Sequence, residues 1–259
     1  MRRRSLIAAT AGLAGLALWA GDAIAQGQSV HRATLAEADQ RTGEVSTEQL
    51  RRILADGSAI VIDTRSRAEF AAGHIPGAQH LPGERGAEAR IPEQVAATGR
   101  LTGGDKGRAL VLYCNGPFCE SSRRLGERLV EAGFTDVRRY QLGIPVWRAL
   151  GGPTEIELEG IVRIFGVDRT AVFFDARPAQ EFAEGSLPGA HNLTAERLMS
   201  GGTRGVPLPL HDFNTRIVLF GRDAAQARAL AEAFSTRPWH NVMYFPGTFD
   251  DLAAAVRSR

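Results

Sequence analysis

The chain has 259 residues, enough for one large domain or two ordinary ones. At 44% hydrophobic and 23% charged, its composition excludes an intrinsically disordered chain and a multi-span membrane protein. The formal charge of +2 arises at the start, where Arg2, Arg3 and Arg4 outnumber Asp22; beyond residue 25 acids and bases cancel, which leaves no net positive charge to favour nucleic acid binding.

Three arginines open the chain, an apolar run follows from Leu6 to Ala20, and Ala23-Ile24-Ala25 stands before Gln26. This is the order of a secretory signal peptide, residues 1–25, with cleavage expected after Ala25. The apolar run falls short of the ~20 residues that span a bilayer, so no stable membrane span is expected once the signal is removed. Arg3-Arg4-Ser5-Leu6-Ile7 also resembles a twin-arginine signal, which leaves the Sec and twin-arginine routes open. Either route delivers a periplasmic or secreted protein. Residues 26–43 show no apolar period and are read as a flexible arm.

Ser46 and Gln49 form a capping box for a helix running to about Ala55. A stretch at 59–82 then recurs at 171–193. At one constant offset, Asp63 matches Asp175, Arg65 matches Arg177, and Glu69-Phe70 matches Glu181-Phe182. Gly73 matches Gly185, and Pro76-Gly77-Ala78 matches Pro188-Gly189-Ala190. So long a period indicates a duplicated domain and not a solenoid. After a variable stretch, Arg108 to Cys114 corresponds to Thr215 to Gly221, each a short apolar run suited to a parallel sheet covered on both faces. Amphipathic helices are predicted at about 121–132, with Gly133 as a stop, and at about 223–234; short strands follow near 136–140 and 241–245. The order helix, strand, loop, strand, helix, strand, twice over, predicts an α/β fold with mostly parallel sheets. Turn residues at Gly151-Gly152-Pro153 place the boundary, giving domains 44–153 and 154–259.

Asp63-x-Arg65, Glu69-Phe70, Gly73-His74-Ile75-Pro76-Gly77-Ala78, a strand ending in Cys114, and then Gly143, Trp147, Gly151 and Pro153 resemble the rhodanese family of sulfurtransferases over about 45–153. Asp175 to Ala190 resembles a second copy. The resemblance implies two tandem rhodanese-like domains, each a mostly parallel sheet flanked by helices, and a cysteine that takes up sulfane sulfur as a persulfide. It also implies that Asp63 braces the active loop. Gly221 occupies the place of Cys114 in the second copy, so only the first retains the thiol. In the tandem rhodaneses it resembles, the active cysteine usually lies in the second domain, so the order here is reversed. The second domain then serves to shape a cleft over Cys114 or to recruit a protein partner.

The position of Cys114 suits that chemistry on its own terms. Ligands of open α/β sheets bind beyond the carboxyl ends of strands. Cys114-Asn115-Gly116-Pro117-Phe118-Cys119-Glu120 is a turn-rich segment leading to a helix N-terminus, where converging N–H groups and the helix dipole favour thiolate and persulfide anions. Thiosulfate or polysulfide would load Cys114, and a thiol acceptor would unload it, with no metal or organic cofactor. Two thiolates without a suitably spaced histidine pair do not make a zinc site. The competing reading of Cys114 is a buried structural thiol. Asn115, Gly116, Pro117, Phe118, Cys119 and Glu120 are the candidate loop contacts to substrate, and Arg65 is a candidate to reach it, although Arg177 recurs where no cysteine exists. Cys119 has three open roles: resolving a Cys114 persulfide, forming a structural disulfide, or none. A phosphatase loop of the C-x5-R kind is excluded because Glu120 stands where the arginine is needed, and its charge also disfavours anionic donors. His74, Ser186 in the second copy, suits a turn or an orienting role, and Trp147, Trp239 and Phe249 read as core anchors. Three functions follow: sulfur transfer, thiol–disulfide or persulfide redox chemistry, and non-catalytic partner binding.

Overall fold

Two five-stranded parallel sheets, assembled in the same order from consecutive halves of the chain, form the framework. The computed structural model describes residues 40–81, 91–167 and 170–258. The expected signal peptide, its expected cleavage site and the expected arm up to residue 39 lie outside the described residues. Both sheets belong to one compact unit, Asp39–Arg259.

The first half runs β1 (Gly43–Glu44), α1 (Thr47–Asp56), β2 (Ile60–Asp63), α2 (Arg67–Ala71), β3 (Gln79–His80), α3 (Ile91–Leu101), β4 (Leu110–Tyr113), α4 (Glu120–Glu131), β5 (Val137–Tyr140) and α5 (Gly143–Ala149). Its sheet order is β1-β5-β4-β2-β3. The second half runs β6 (Thr154–Glu155), α6 (Leu158–Gly166), β7 (Val172–Asp175), α7 (Ala179–Glu184), β8 (His191–Asn192), α8 (Ala195–Met199), β9 (Ile217–Phe220), α9 (Ala224–Ser235), β10 (Val242–Tyr244) and α10 (Phe249–Arg257). Its order, β6-β10-β9-β7-β8, repeats the first. The expected α/β fold with parallel sheets is what each half adopts.

Local signals set the boundaries. Ser46 caps α1 with both bonds of the expected box, and Gly57, at φ 64°, ends it in the left-handed conformation that glycine adopts without strain. Ser66 and Glu69 make the same box for α2. The arm, read as reaching residue 43, is in fact anchored earlier. Gly43 already pairs with Arg138 in the sheet, Thr42 is buried, and Arg41 bridges Glu131. A two-residue strand has no period to read, and pairing with β5 alone makes it.

Every residue of β4 and of β9 is buried. Their side chains alternate between two layers. Val111 and Tyr113 pack with Leu50, Phe70, Ile144 and Trp147 under α1, α2 and α5, whereas Leu110 and Leu112 pack with Leu125, Leu129 and Phe134 under α4. In the second half Val218 and Phe220 meet Ile161 and Leu252, and Ile217 and Leu219 meet Leu230, Phe234 and Trp239. Each such side chain contributes about 1.5–3 kcal/mol by leaving water.

The halves meet through β6. His74 and Glu155 exchange backbone hydrogen bonds of 2.9 Å in an antiparallel bridge. The Glu155 carboxylate lies 3.3 Å from His74 Nε2 and accepts bonds from the Gly77 N–H at 3.2 Å and the Tyr244 hydroxyl at 2.8 Å. Burial pushes this carboxyl up, but the bonds from His74, Tyr244 and Gly77 outweigh it and hold the group below its usual value. Arg67 pairs with Glu157, and α6 approaches α2 so closely that a Cβ on Gly160 would collide with the Ala71 carbonyl. Trp147 donates from Nε1 to the Pro153 carbonyl at 2.9 Å, and its ring leaves no space for a side chain at Gly152.

Candidate active site

Cys114 follows the last residue of β4, the central strand of its sheet, and is 3% exposed. Its carbonyl accepts a 3.1 Å bond from the Ile144 N–H. Gly143, at φ 64°, lets this crossing happen: a Cβ there would strike the Cys114 carbonyl and the Gly116 nitrogen. The strand end and α5 are thereby held against each other at backbone distance.

The segment from Cys114 to Cys119 is a tight arch. Gly116, at φ 119°, turns the chain, and its carbonyl accepts the Cys119 N–H at 3.0 Å. Asn115 is tethered outside the arch by a 2.6 Å bond from Nδ2 to Glu69. Burial pushes the Glu69 carboxyl up, but bonds from Ser66 and Asn115 prevail and hold it low, so it remains an acceptor. Pro117 is partly exposed, and Phe118 is 87% exposed at the crest. Cys119 is the N-cap residue of α4. Cys114 and Cys119 are joined in a disulfide, with Cα atoms 6.1 Å apart, an ordinary separation for such a bond. The arch is therefore held in an oxidised state. Glu120 begins α4 and pairs with Arg124 and, at 3.7 Å, with Arg123. Its charge, expected to oppose anionic donors, is largely offset by those two arginines.

Arg65 is scaffold, its guanidinium 5.8 Å from the ring of Tyr113 at the end of β4. Its guanidinium grips Asp63 through Nε at 3.0 Å and Nη2 at 2.6 Å, and donates a further 2.8 Å bond to the Gly73 carbonyl. The Arg65 N–H also donates to Asp63 at 2.9 Å. Only 5% of Arg65 is exposed, and its Nε and Nη2 are engaged by Asp63 and the Gly73 carbonyl. Burial works to lower the guanidinium, but the Asp63 carboxylate raises it above its usual value, keeping the guanidinium charged. Tyr113 completes the cluster: its hydroxyl donates to Asp63 at 2.6 Å and accepts from the Ile75 N–H at 3.0 Å. Burial, and then the Asp63 charge, push that phenol far above its usual value, so it stays a donor. Asp63 thus braces the end of β2 and, through Tyr113, the strand that carries Cys114.

The second half repeats the brace without the cysteines. Arg177 grips Asp175 at 3.0 and 2.7 Å and donates to the Gly185 carbonyl at 2.7 Å. Phe220 replaces Tyr113, and the Ser186 hydroxyl takes over the bond to Asp175 at 2.6 Å. Gly221 follows β9, and Arg222 pairs with Glu181 where Asn115 pairs with Glu69. Tyr113 and Glu69 were not among the sequence candidates. For Glu69 a signal existed, since Ser66-x-x-Glu69 is a second capping box.

The family model described as the rhodanese-like domain matches residues 46–150 and again 165–255. The HTH-type transcriptional regulator Rv0324 of Mycobacterium tuberculosis is 34% identical over 108 residues, a match covering 42% of this chain and 42% of the regulator. The chain thus spans less than half of that relative. The human thiosulfate:glutathione sulfurtransferase is 32% identical over 114 residues, covering 40% of this chain and 90% of that enzyme. Among solved structures, thiosulfate sulfurtransferase from Pseudomonas aeruginosa aligns over 82% of this chain and 44% of that chain, at 21% identity and a TM-score of 0.36. With both halves matched by one family model, the chain belongs to the rhodanese-like domain family, in tandem form.

Proposed function

We propose that the protein is an exported sulfurtransferase in which Cys114, once reduced, carries sulfane sulfur from thiosulfate or polysulfide to a small thiol acceptor. The observation that carries this reading is the placement of Cys114, at the carboxyl end of the central strand and at the start of an arch ending on the α4 N-terminus. The dipole of a twelve-residue helix favours an anionic sulfur there, as thiolate or as persulfide. With thiosulfate, the Cys114 thiolate attacks the outer sulfur. The S–S bond of the donor breaks, sulfite leaves, and Cys114 holds the sulfur as a persulfide anion. Attack by the acceptor thiolate on the outer persulfide sulfur restores the Cys114 thiolate. Export is supported by the basic, apolar and small-residue order of the first 25 residues, and it agrees with a paired cysteine loop. A protein partner docking on the second domain would direct the sulfur onward.

The test is donor cleavage by reduced protein. Thiosulfate should release sulfite in proportion to protein, and Cys114→Ser should abolish the release. Failure of both thiosulfate and polysulfide to leave sulfur on the protein would replace this reading with that of a partner-binding module.

A further inference from the structure

We propose that the Cys114–Cys119 pair gives this loop a second activity, the reduction of sulfane sulfur to hydrogen sulfide, with Cys119 as the resolving catalytic residue. The inference rests on the sulfur-transfer reading of Cys114. The two cysteines are the only ones in the sequence, they share one arch, and they are bonded to each other. A thiol at 119 therefore lies within bonding reach of the Cys114 sulfur without any rearrangement beyond the arch itself.

The steps balance. Reduced Cys114 takes a sulfane sulfur and releases the donor's leaving group, sulfite in the case of thiosulfate. The Cys119 thiolate then attacks the Cys114 Sγ. The bond between Sγ and the outer sulfur breaks, and the outer sulfur departs with the electron pair, takes a proton from solvent and leaves as hydrosulfide. Two thiols have been oxidised to the disulfide seen in the structure, and one sulfane sulfur has been reduced; no external oxidant enters. An external dithiol closes the cycle by thiol–disulfide exchange, becoming a disulfide itself.

Exposure sets the direction of that last exchange. Cys114 is buried, whereas Cys119 is partly exposed between Phe118 and Glu120. The incoming thiolate meets Cys119 first, and Cys114 is the sulfur that leaves. It leaves as a thiolate, the form needed for the next donor. The second half has neither cysteine in its loop, and none of this applies to it.

The experiment uses the full chain, reduced and freed of reductant, mixed with thiosulfate or inorganic polysulfide in the absence of acceptor, and quenched with an alkylating agent. Sulfide should appear together with the donor's leaving group, in equal amount, while both thiols are lost to alkylation as a disulfide. With Cys119→Ser, and with Cys119→Ala as a second variant, the leaving group should appear without sulfide, and intact mass should show one added sulfur. Adding a dithiol should make sulfide release by the unmodified protein continue beyond one turnover. A protein that cleaves the donor but keeps the added sulfur, with Cys119 still alkylable, overturns the resolving role and leaves sulfur transfer standing. No sulfur uptake from either donor overturns both.

Discussion

The arch after β4 and the turn after β9 sit at the same place on two copies of one sheet, yet only the first carries a thiol. Asp63–Arg65 and Asp175–Arg177 make nearly the same bonds at nearly the same lengths in both. A pair preserved beside Gly221 is not there for sulfur chemistry, and its twin beside Cys114 is most simply read the same way. What differs is confined to what the two loops present: a bonded cysteine pair with Asn115 held by Glu69, against a glycine with Arg222 held by Glu181. The fold supplies the same braced strand end twice, and the loop alone decides whether that end carries a thiol.

The strongest way to break this comparison is to try to move the chemistry across. Cys114→Ser should lose all donor cleavage, and adding Gly221→Cys should not restore it. A Cβ at 221 would sit 2.9 Å from Gln226 Oε1 and 3.2 Å from the Ala227 nitrogen. Sulfite release measures the outcome, and recovery in the double variant would mean that the second loop is a dormant site. Next in size are the braces. Asp63→Ala and Asp175→Ala each leave a buried guanidinium without its counter-ion and should each cost about 3–5 kcal/mol. Urea unfolding followed through Trp147 and Trp239 reads the two halves, and a much smaller cost in the second would show that its brace has become dispensable.

Tyr113→Phe should cost about 1–3 kcal/mol, because it strands the buried Ile75 N–H and removes one of the bonds to Asp63 Oδ2, which Arg65 still holds. It installs the residue that the second copy uses at the matching place, but without the hydroxyl that Ser186 provides there. A neutral result in thermal unfolding would show that the phenol's two bonds are dispensable to this half. The smallest effect expected is acid sensitivity of the contact between halves. The Glu155 carboxyl is held below 4.5, so its contribution is full above that value and is lost as pH falls through the lower, folded-state value. The stability gap between the unmodified protein and Glu155→Gln should therefore be widest above 4.5 and close on acidification; a gap that does not change with pH would rule out titration of Glu155.

Much of this architecture is readable from the amino acids because the duplication reads itself twice. Asp63 with Arg65 and Gly73 with Pro76 stand out when Asp175, Arg177, Gly185 and Pro188 recur in register. The apolar runs of β4 and β9 and the capping boxes are local signals, and they reappear as elements. Features that depend on distant partners do not announce themselves. Tyr113 sits in an apolar run, and nothing local says that its hydroxyl serves an aspartate on another strand. Arg65 looks free to meet a ligand until its donors are found turned to Asp63 and Gly73. The two-residue strands β1 and β6 carry no period. α3 buries only Gln94 and Thr98, so it lacks the apolar stripe by which a helix is recognised. The cysteine pair was visible as two residues five apart, but spacing leaves three roles for Cys119 open, and only folding the arch brings the sulfurs together.

The tie between Glu155 and the His74 turn carries a consequence for where this protein can be divided. Residues 151–153 are the seam at which the repeat changes copy, but Thr154 and Glu155 extend past that seam and back onto the turn that belongs to the first copy. The seam of the repeat and the seam of mutual support do not coincide. Excising the first half at the glycines would remove the strand its His74 turn leans on, and excising the second would bare a carboxylate shaped for a neighbour. The copy without a cysteine is in this way the buttress of the copy that carries two.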